Sequence, residues 1–271
     1  MNALDGVITW PATTAAAAVV TADGVVDATG PLTRPLRWAS VTKVLTALAT
    51  WVAVEEGTVA LDQAAGPPGS TLRHLLAHAS GLAFDSDAVM ARPGTRRIYS
   101  NRGIEVAADT VAAAAGMSFE AYLREGVLEP LRMTATRLEG SPAAAAVGPV
   151  ADLARLAVEL QRPTLVSADT LAEATSVAFP GLVGVLPGFG RQDPNDWGLG
   201  VELRDGKAPH WTPASASPRT FGHFGQAGGF LWVDPDAGVA LAALTDRDFD
   251  AWAVEAWPAL GHHVLAEHAR R

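Results

Sequence analysis

The chain has 271 residues, of which 49% are hydrophobic and 18% charged, and its formal net charge at pH 7 is −9. This composition is typical of a globular protein, and the acidic balance argues against nucleic acid as a partner. Cysteine is absent, which excludes disulfides, Cys-ligated zinc, iron–sulfur clusters and a thiol nucleophile. Because the sequence has neither a long apolar run nor the pattern of a secretory signal, we expect a cytoplasmic protein that does not contact a membrane.

The predicted elements begin with a hairpin, in which residues 15–21 and 25–28 form strands around the turn signal Asp23-Gly24. Residues 40–57 then carry apolar side chains at three- and four-residue spacing, which predicts an amphipathic helix that ends at Gly57. A second helix is predicted to start near Ser70 or Thr71, after a loop rich in glycine and proline.

The rest of the chain divides into a helical middle and a strand-rich last quarter. Helices are predicted at 105–115, 118–127 and 150–160, strands at 197–203, 228–233 and 239–244, and a final helix from 249 to the C-terminus. Strands at both ends predict a mixed α/β (α+β) fold, in which the N- and C-terminal segments form an antiparallel sheet. We expect a single domain, 1–271, with the sheet part at about 1–60 and 195–271 and a helical insertion at about 61–194.

Lysine occurs only at Lys43 and Lys207 in a chain otherwise rich in arginine. Arginine stays protonated, whereas a buried lysine can become a neutral base, so a retained lysine is a candidate for proton transfer. Ser40 lies three residues before Lys43 at the start of a predicted helix, which places both side chains on one face. A neutral amine there can accept the serine proton, and the helix N-terminus favours an oxyanion. The alternative is a capping serine with a solvated lysine.

Two further segments are candidates for chemistry. Tyr99-Ser100-Asn101 offers a hydroxyl that can relay a proton and an amide that can orient a lysine or bind substrate; the alternative is a turn with an incidental tyrosine. The glycine-rich segment 221–229 contains His223 and indicates close approach of the backbone to a ligand, with one N–H available as an oxyanion donor. Its alternative is a hairpin with a surface histidine.

Taken together, these motifs resemble those of the penicillin-recognising serine enzymes: class C β-lactamases, DD-peptidases and related serine esterases. That family carries Ser-x-x-Lys, Tyr-x-Asn, and Lys-Thr-Gly or His-x-Gly in this chain order, and here they stand as Ser40/Lys43, Tyr99/Asn101 and His223/Gly225. Residues 71–82 are similar to the family's LLTHTSGL segment, 93–101 to its PGTxxxYSN and 129–136 to its EPLGMxxT. The resemblance extends from about residue 15 to 260.

The resemblance implies a serine hydrolase that acts on esters or amides through an acyl-enzyme on Ser40. It assigns catalytic roles to Ser40, Lys43 and Tyr99 and substrate binding to Asn101, His223, Gly225 and Gln226, with the N–H groups of Ser40 and Gln226 as the oxyanion hole. His223 stands where many relatives carry lysine, and a neutral imidazole is a poorer partner for the carboxylate of a β-lactam. We therefore expect esters to be preferred, and no metal or organic cofactor is implied.

Other possibilities remain open from the sequence. A β-lactamase or D-amino-acid peptidase would use the same residues on another small-molecule substrate, and a catalytically inactive scaffold would keep only the fold. His74 and His78 have metal-ligand spacing, but no third ligand is evident. Trp197 and Trp211 are candidates for lining a pocket. A monomer is the expected oligomeric state.

Overall fold

The fold is that of a computed structural model, which describes residues 3–269. Its strands are β1 (Ala15–Thr21), β2 (Gly24–Thr29), β3 (Leu36–Arg37), β4 (Arg137–Leu138), β5 (Ala146–Gly148), β6 (Gly184–Leu186), β7 (Gly190–Gln192), β8 (Glu202–Leu203), β9 (Phe221–Gly225), β10 (Gly229–Asp234) and β11 (Val239–Thr245). Its α-helices are α1 (Thr42–Glu55), α2 (Leu72–Leu76), α3 (Asn101–Ala115), α4 (Phe119–Leu123), α5 (Val150–Glu159), α6 (Ala168–Ala174) and α7 (Ala251–His268).

A six-stranded sheet in the order β2-β1-β11-β10-β9-β8 forms the centre of the molecule, and its neighbouring strands pair antiparallel. The first hairpin joins the C-terminal strands through β1 and β11, with Ala15 opposite Thr245 and Val20 opposite Ala240. The sheet therefore combines both ends of the chain, as the sequence predicts.

Both faces of this sheet are covered. On β1, Ala16, Ala18 and Val20 pack into the core that contains α1 and α5. The alternate residues Ala17 and Val19 pack with α7 on the opposite face. This two-residue alternation is the geometry of an extended strand, and because both faces are buried the strand reads as a continuous apolar run rather than an alternating one.

Helix α1 lies at the centre of the larger core and is packed against α3 and α4. All residues from 42 to 53 are buried, so the helix is not amphipathic as predicted but enclosed on all sides. It also begins at Thr42 rather than residue 40, because the preceding residues Ala39–Val41 form a 3₁₀ turn. The side chain of Lys43 is thereby placed inside the protein.

Several element boundaries differ from the prediction. Of the strand predicted at 197–203, only Glu202–Leu203 pairs with β9, because the Gly198–Val201 segment folds into a turn in which Gly198 N–H bonds to the Val201 carbonyl. The helix predicted at 118–127 is the short α4 followed by a π-helical turn, Arg124–Leu128. The small sheet β3-β5-β4 and the hairpin β6–β7 were not predicted.

The last helix runs over Ala251–His268, and residues 270 and 271 of the predicted C-terminal helix lie outside the described residues. Between residues 3 and 269, no helix combines the length and apolarity required to cross a bilayer.

Candidate active site

Ser40 stands on the tight turn that leads into α1 and is half-buried. Ala39, directly before it, has a positive φ of 45°, a conformation that costs free energy for a residue with a side chain. Gly225 at the end of β9 packs against this turn: a Cβ there would overlap the Trp38 carbonyl oxygen and lie 3.1 Å from Ser40 N. Only glycine allows this approach, which brings the segment after β9 beside the serine.

Lys43 is fully buried, and its amine Nζ is held by three oxygens. Nζ lies 2.6 Å from Asn101 Oδ1, 2.9 Å from the Ala143 carbonyl and 3.1 Å from Ser40 Oγ. The amide and backbone oxygens can only accept hydrogen bonds. In a neutral amine they take the two N–H protons, and the lone pair is left facing the Ser40 hydroxyl.

The protonation state of Lys43 suits this arrangement. Burial lowers the pKa of Lys43 from 10.5 to about 7, and the negative charge of Glu105 acts in the opposite direction. A substantial fraction of the amine is therefore neutral near pH 7, whereas an exposed lysine would be almost wholly protonated.

Tyr99 and Asn101 are positioned by the start of α3. Ser100 caps this helix by accepting a hydrogen bond from Gly103 N–H, and Asn101 N–H donates to the Phe84 carbonyl at 2.7 Å. Burial raises the pKa of Tyr99 well above its usual value, and its hydrogen bond with Ser40 offsets this only in part. The Tyr99 hydroxyl therefore keeps its proton and can act as a donor.

His223 on β9 is buried, not at the surface. Its Nδ1 lies 2.6 Å from the Phe224 carbonyl, which can only accept, so Nδ1 carries the ring proton and Nε2 faces the Tyr99 hydroxyl at 3.4 Å. Burial lowers the pKa of His223 to about 3, and the nearby charge of Lys43 acts in the same direction. The imidazole is accordingly neutral at pH 7.

A cavity of about 190 Å³, here called the inner cavity, opens beside Ser40. Tyr99, His223 and Gln226 are among its lining residues, so the structure brings four of the sequence-predicted residues together here. Lys43 and Asn101 lie behind Ser40. The other walls are mostly apolar and include Phe84, Leu186, Pro187, Trp197 and Phe224. None of the described residues that line the inner cavity is a lysine or arginine.

The sequence did not predict the charged cluster behind the Trp197 wall. Glu202, which lines the inner cavity, accepts hydrogen bonds from Lys207 at 2.5 Å, from His210 at 2.9 Å and from the Trp211 indole N–H. Burial alone would raise the pKa of Glu202, but His210 and Lys207 lower it to about 2. Trp211 thus belongs to this cluster and not to the cavity wall, whereas Trp197 lines the cavity as predicted.

The histidine pair does not form a metal site. Helix α2 ends at Leu76, so His78 lies beyond the helix with a φ of 53° and does not share a face with His74. His74 caps α2 through Thr71, and His78 Nδ1 accepts a hydrogen bond from Ser100 N–H. Across residues 3–269 no group of three or more His, Asp or Glu side chains is placed to hold a metal ion.

Comparison with known proteins assigns the chain to a family. A model of the Beta-lactamase family matches residues 12–266. The chain belongs to the Beta-lactamase family. A solved structure of a β-lactamase from Mycobacterium bovis is 56% identical, with a TM-score of 0.98 over 99% of this chain and 100% of that chain. The family match confirms the resemblance seen in the sequence. The fold shared with the Mycobacterium bovis β-lactamase confirms the predicted fold class.

Two more distant solved structures share the family fold. Simvastatin synthase from Aspergillus terreus is 16% identical, with a TM-score of 0.80 over 98% of this chain and 96% of that one. EstCE1, described as a hydrolase with promiscuous acyltransferase activity, is 18% identical, with a TM-score of 0.78 over 97% and 95%. A comparison with curated proteins gave no match. At these sequence identities the two structures support only the assignment of the fold. The family is one of serine hydrolases that act on small molecules.

Proposed function

We propose that this protein hydrolyses carboxylic esters through an acyl-enzyme on Ser40. The observation that carries the proposal is the environment of Lys43: two acceptor-only oxygens occupy its protons and direct its lone pair at Ser40 Oγ, 3.1 Å away. Its pKa of about 7 makes the amine available as a base at neutral pH. A capping serine with a solvated lysine would not produce this burial.

In the proposed acylation step, Ser40 Oγ forms a bond to the ester carbonyl carbon while its proton passes to Lys43 Nζ. The carbonyl oxygen becomes an oxyanion, which the backbone N–H groups of Ser40 and Gln226 stabilise. Collapse of this intermediate breaks the bond to the alcohol oxygen. Water then attacks the acyl-enzyme by the same proton path in reverse, which releases the acid and restores Ser40.

Tyr99 supplies the proton that the leaving alcohol needs. Because burial raises its pKa, the Tyr99 hydroxyl is protonated at neutral pH and donates its proton to the departing oxygen. The proton that Lys43 took from Ser40 then passes to the Tyr99 oxygen, since the acylated Ser40 carries no proton and Lys43 Nζ lies 4.8 Å from the centre of the Tyr99 ring. Asn101 fixes the amine of Lys43 by accepting one of its protons at 2.6 Å. His223 is part of the wall against which the substrate lies, and Gly225 allows the close approach of β9 to the Ser40 turn.

The charge of the inner cavity supports an ester rather than a β-lactam as the substrate. Penicillins and D-alanyl peptides carry a carboxylate, which needs a cationic partner when it is removed from water. Among the described lining residues, His223 is neutral and Glu202 is negative, and none is a lysine or arginine. A neutral ester carries no such charge.

A β-lactamase is the second candidate, because the 56% identical relative from Mycobacterium bovis bears that name. A D-amino-acid peptidase and an inactive scaffold with the same fold complete the alternatives. Intact-protein mass spectrometry separates them after incubation with p-nitrophenyl butyrate, a penicillin or a fluorophosphonate. We expect a fluorophosphonate adduct and rapid ester turnover in the wild type, neither of them with Ser40→Ala, and little penicillin adduct. Conversion of the penicillin to free penicilloic acid would favour the β-lactamase, a stable penicilloyl adduct would favour the peptidase, and no reaction of the folded protein with any probe would favour the scaffold.

The pH dependence of the reaction provides a separate prediction. If neutral Lys43 is the base, kcat/KM for p-nitrophenyl butyrate rises about tenfold per pH unit below pH 7 and levels off above it, because the protonated amine cannot accept the serine proton. The rate is followed at the isosbestic wavelength of p-nitrophenol and its anion, so that titration of the product does not enter the profile, after subtraction of the Ser40→Ala background.

A matched variant assigns this titration to Lys43. The negative charge of Glu105 raises the pKa of Lys43, so Glu105→Gln is expected to move the midpoint of the profile to lower pH. Glutamine keeps the hydrogen bond that Ser141 donates to Glu105 at 2.6 Å. An unmoved midpoint, or a rate independent of pH from 5.5 to 8, would assign the base to another group.

A further inference from the structure

A second cavity, of about 380 Å³, adjoins the inner cavity and is here called the outer groove. Phe84, Tyr99 and Pro187 line both, so the two spaces are neighbours that share these three side chains. The inner cavity reaches Ser40, and the outer groove faces solvent where Met90 and Val185 are exposed.

The outer groove is apolar although it is exposed to water. The side chains of Phe84, Met90 and Val185 are 51%, 64% and 60% exposed, respectively. Large apolar side chains that cluster at one exposed place indicate a binding surface, whereas isolated ones need no explanation. Here the cluster adjoins the cavity of the candidate nucleophile.

The walls of the outer groove are held in place by backbone contacts. The Phe84 carbonyl accepts hydrogen bonds from the N–H groups of Asn101 and Arg102. On the other side, Arg97 N–H donates to the Val183 carbonyl at 3.0 Å, and a Cβ at Gly184 would lie 2.5 Å from the Arg97 carbonyl oxygen. Both walls are therefore preformed, which lowers the entropic cost of binding a ligand between them.

We infer that the outer groove binds a hydrocarbon chain of the ester substrate, so that the enzyme prefers esters with a longer unbranched chain over short ones. The inference rests on the proposed function, because it takes Ser40 as the point where the ester group lies. A hydrocarbon occupant fits the lining, in which Phe84, Met90, Ile98, Val185 and Pro187 are apolar. Two arginines also line the groove: the guanidinium of Arg97 is buried and donates to backbone carbonyls, and Arg96 is exposed to solvent. The chain belongs to either the acyl or the alcohol side of the ester.

Two isomeric esters distinguish these sides. Ethyl octanoate carries the long chain on the acyl side and octyl acetate carries it on the alcohol side, and ethyl butanoate and butyl acetate are their short counterparts. Complete burial of one methylene raises affinity up to about fourfold; for a groove open on one side we expect about twofold per methylene. The long ester of one pair should therefore exceed its short counterpart by about 16-fold in kcat/KM, measured by titration of the released acid.

Val185→Asp tests the groove itself. Val185 lines only the outer groove and lies opposite Arg191 in the hairpin β6–β7, so an aspartate is tolerated there. We expect this variant to lower the long-to-short ratio of kcat/KM at least about fourfold. Val26→Asp is the matched control, because Val26 on β2 is similarly exposed, at 52%, and lies outside both cavities.

Binding to Ser40→Ala separates this inference from the proposed function. Calorimetric titration of that variant with the long and short esters measures affinity without turnover. Equal affinity and equal kcat/KM for long and short chains in both pairs would overturn the inference, and so would a chain-length preference that survives Val185→Asp. A third outcome would uphold the groove but reject the esterase: long esters bind more tightly than short ones, Val185→Asp abolishes this difference in affinity, and the wild type hydrolyses none of them.

Discussion

Replacing Lys43 with methionine is expected to lower kcat/KM for p-nitrophenyl butyrate by about 10³-fold, within the range that general acid–base catalysis contributes. Methionine has nearly the length of the lysine stem and fills the buried site, but it cannot accept the proton of Ser40. The rate is measured at pH 8, where the wild-type amine is mostly neutral, with Ser40→Ala as the background.

The Lys43→Met variant is expected to remain folded, and its free energy of unfolding should depend on pH differently from that of the wild type. The pKa of Lys43 is about 7 in the folded protein against an ordinary 10.5, so burial of the amine costs on the order of 4 kcal/mol at pH 7. Methionine removes this cost but leaves Asn101 Oδ1 and the Ala143 carbonyl without a donor, at about 1–3 kcal/mol each. The two effects nearly cancel at pH 7.

Urea unfolding at pH 7 and pH 9 checks this balance. Because the folded pKa lies below the unfolded one, the unfolded wild type binds more protons between pH 7 and 10.5, and wild-type stability gains with pH over that window. The methionine variant lacks this gain, so its stability relative to the wild type falls as pH rises. A parallel pH dependence in both proteins, or more than a tenth of the wild-type activity in the folded variant, would contradict the assigned role.

The second large effect concerns stability. Lys207→Met is expected to destabilise the protein by about 3–5 kcal/mol, the usual result of removing one partner of a buried ion pair. The side chains of Lys207 and Glu202 are 0% and 2% exposed. Without the ammonium, the Glu202 carboxylate keeps its charge with too few donors, and the carbonyls of Asp196 and Leu203 lose theirs. The melting temperature should fall by about 10 °C.

Glu202→Gln combined with Lys207→Met provides the control. The double variant removes both charges and keeps a side chain of the same shape, whose oxygen still accepts from Trp211. Its free energy of unfolding should therefore be closer to that of the wild type than the sum of the single variants, by about 1–3 kcal/mol. Additive losses would show that Lys207 acts only through the backbone carbonyls.

The comparison of sequence and structure shows which features local patterns encode. The approach of Ser40 to Lys43 follows from helical spacing and was predicted from the residues alone. Asn101 lies 58 residues further along the chain from Lys43, and only the family resemblance connected the two. The apolar wall residues Phe84 and Pro187 stand in loops, where no periodic pattern marks them.

Lys207 shows that the scarcity of lysine can mark a structurally important residue without indicating its role. The scarcity of lysine marked it, together with Lys43, as a candidate for proton transfer. In the structure its ammonium donates to Glu202, to Asp196 and to Leu203 within a closed pocket. A compact tetrahedral ammonium satisfies three converging acceptors, which the planar guanidinium of arginine does not. Lysine suits this position through the shape of its ammonium group. The number of lysines in a sequence cannot distinguish this reason from a role in proton transfer.

The union of both chain ends in one sheet has a consequence for biosynthesis. Strand β1 needs β11 as its inner neighbour, and the adjoining pair Thr14 and Asp246 is separated by 232 residues in the sequence. At a translation rate of about 5–20 residues per second, the first hairpin waits on the order of 10 to 50 s for its partner. Throughout that interval the apolar strand Ala15–Thr21 has an open edge on the ribosome, so completion of the sheet is necessarily a late event that follows synthesis of the helical insertion.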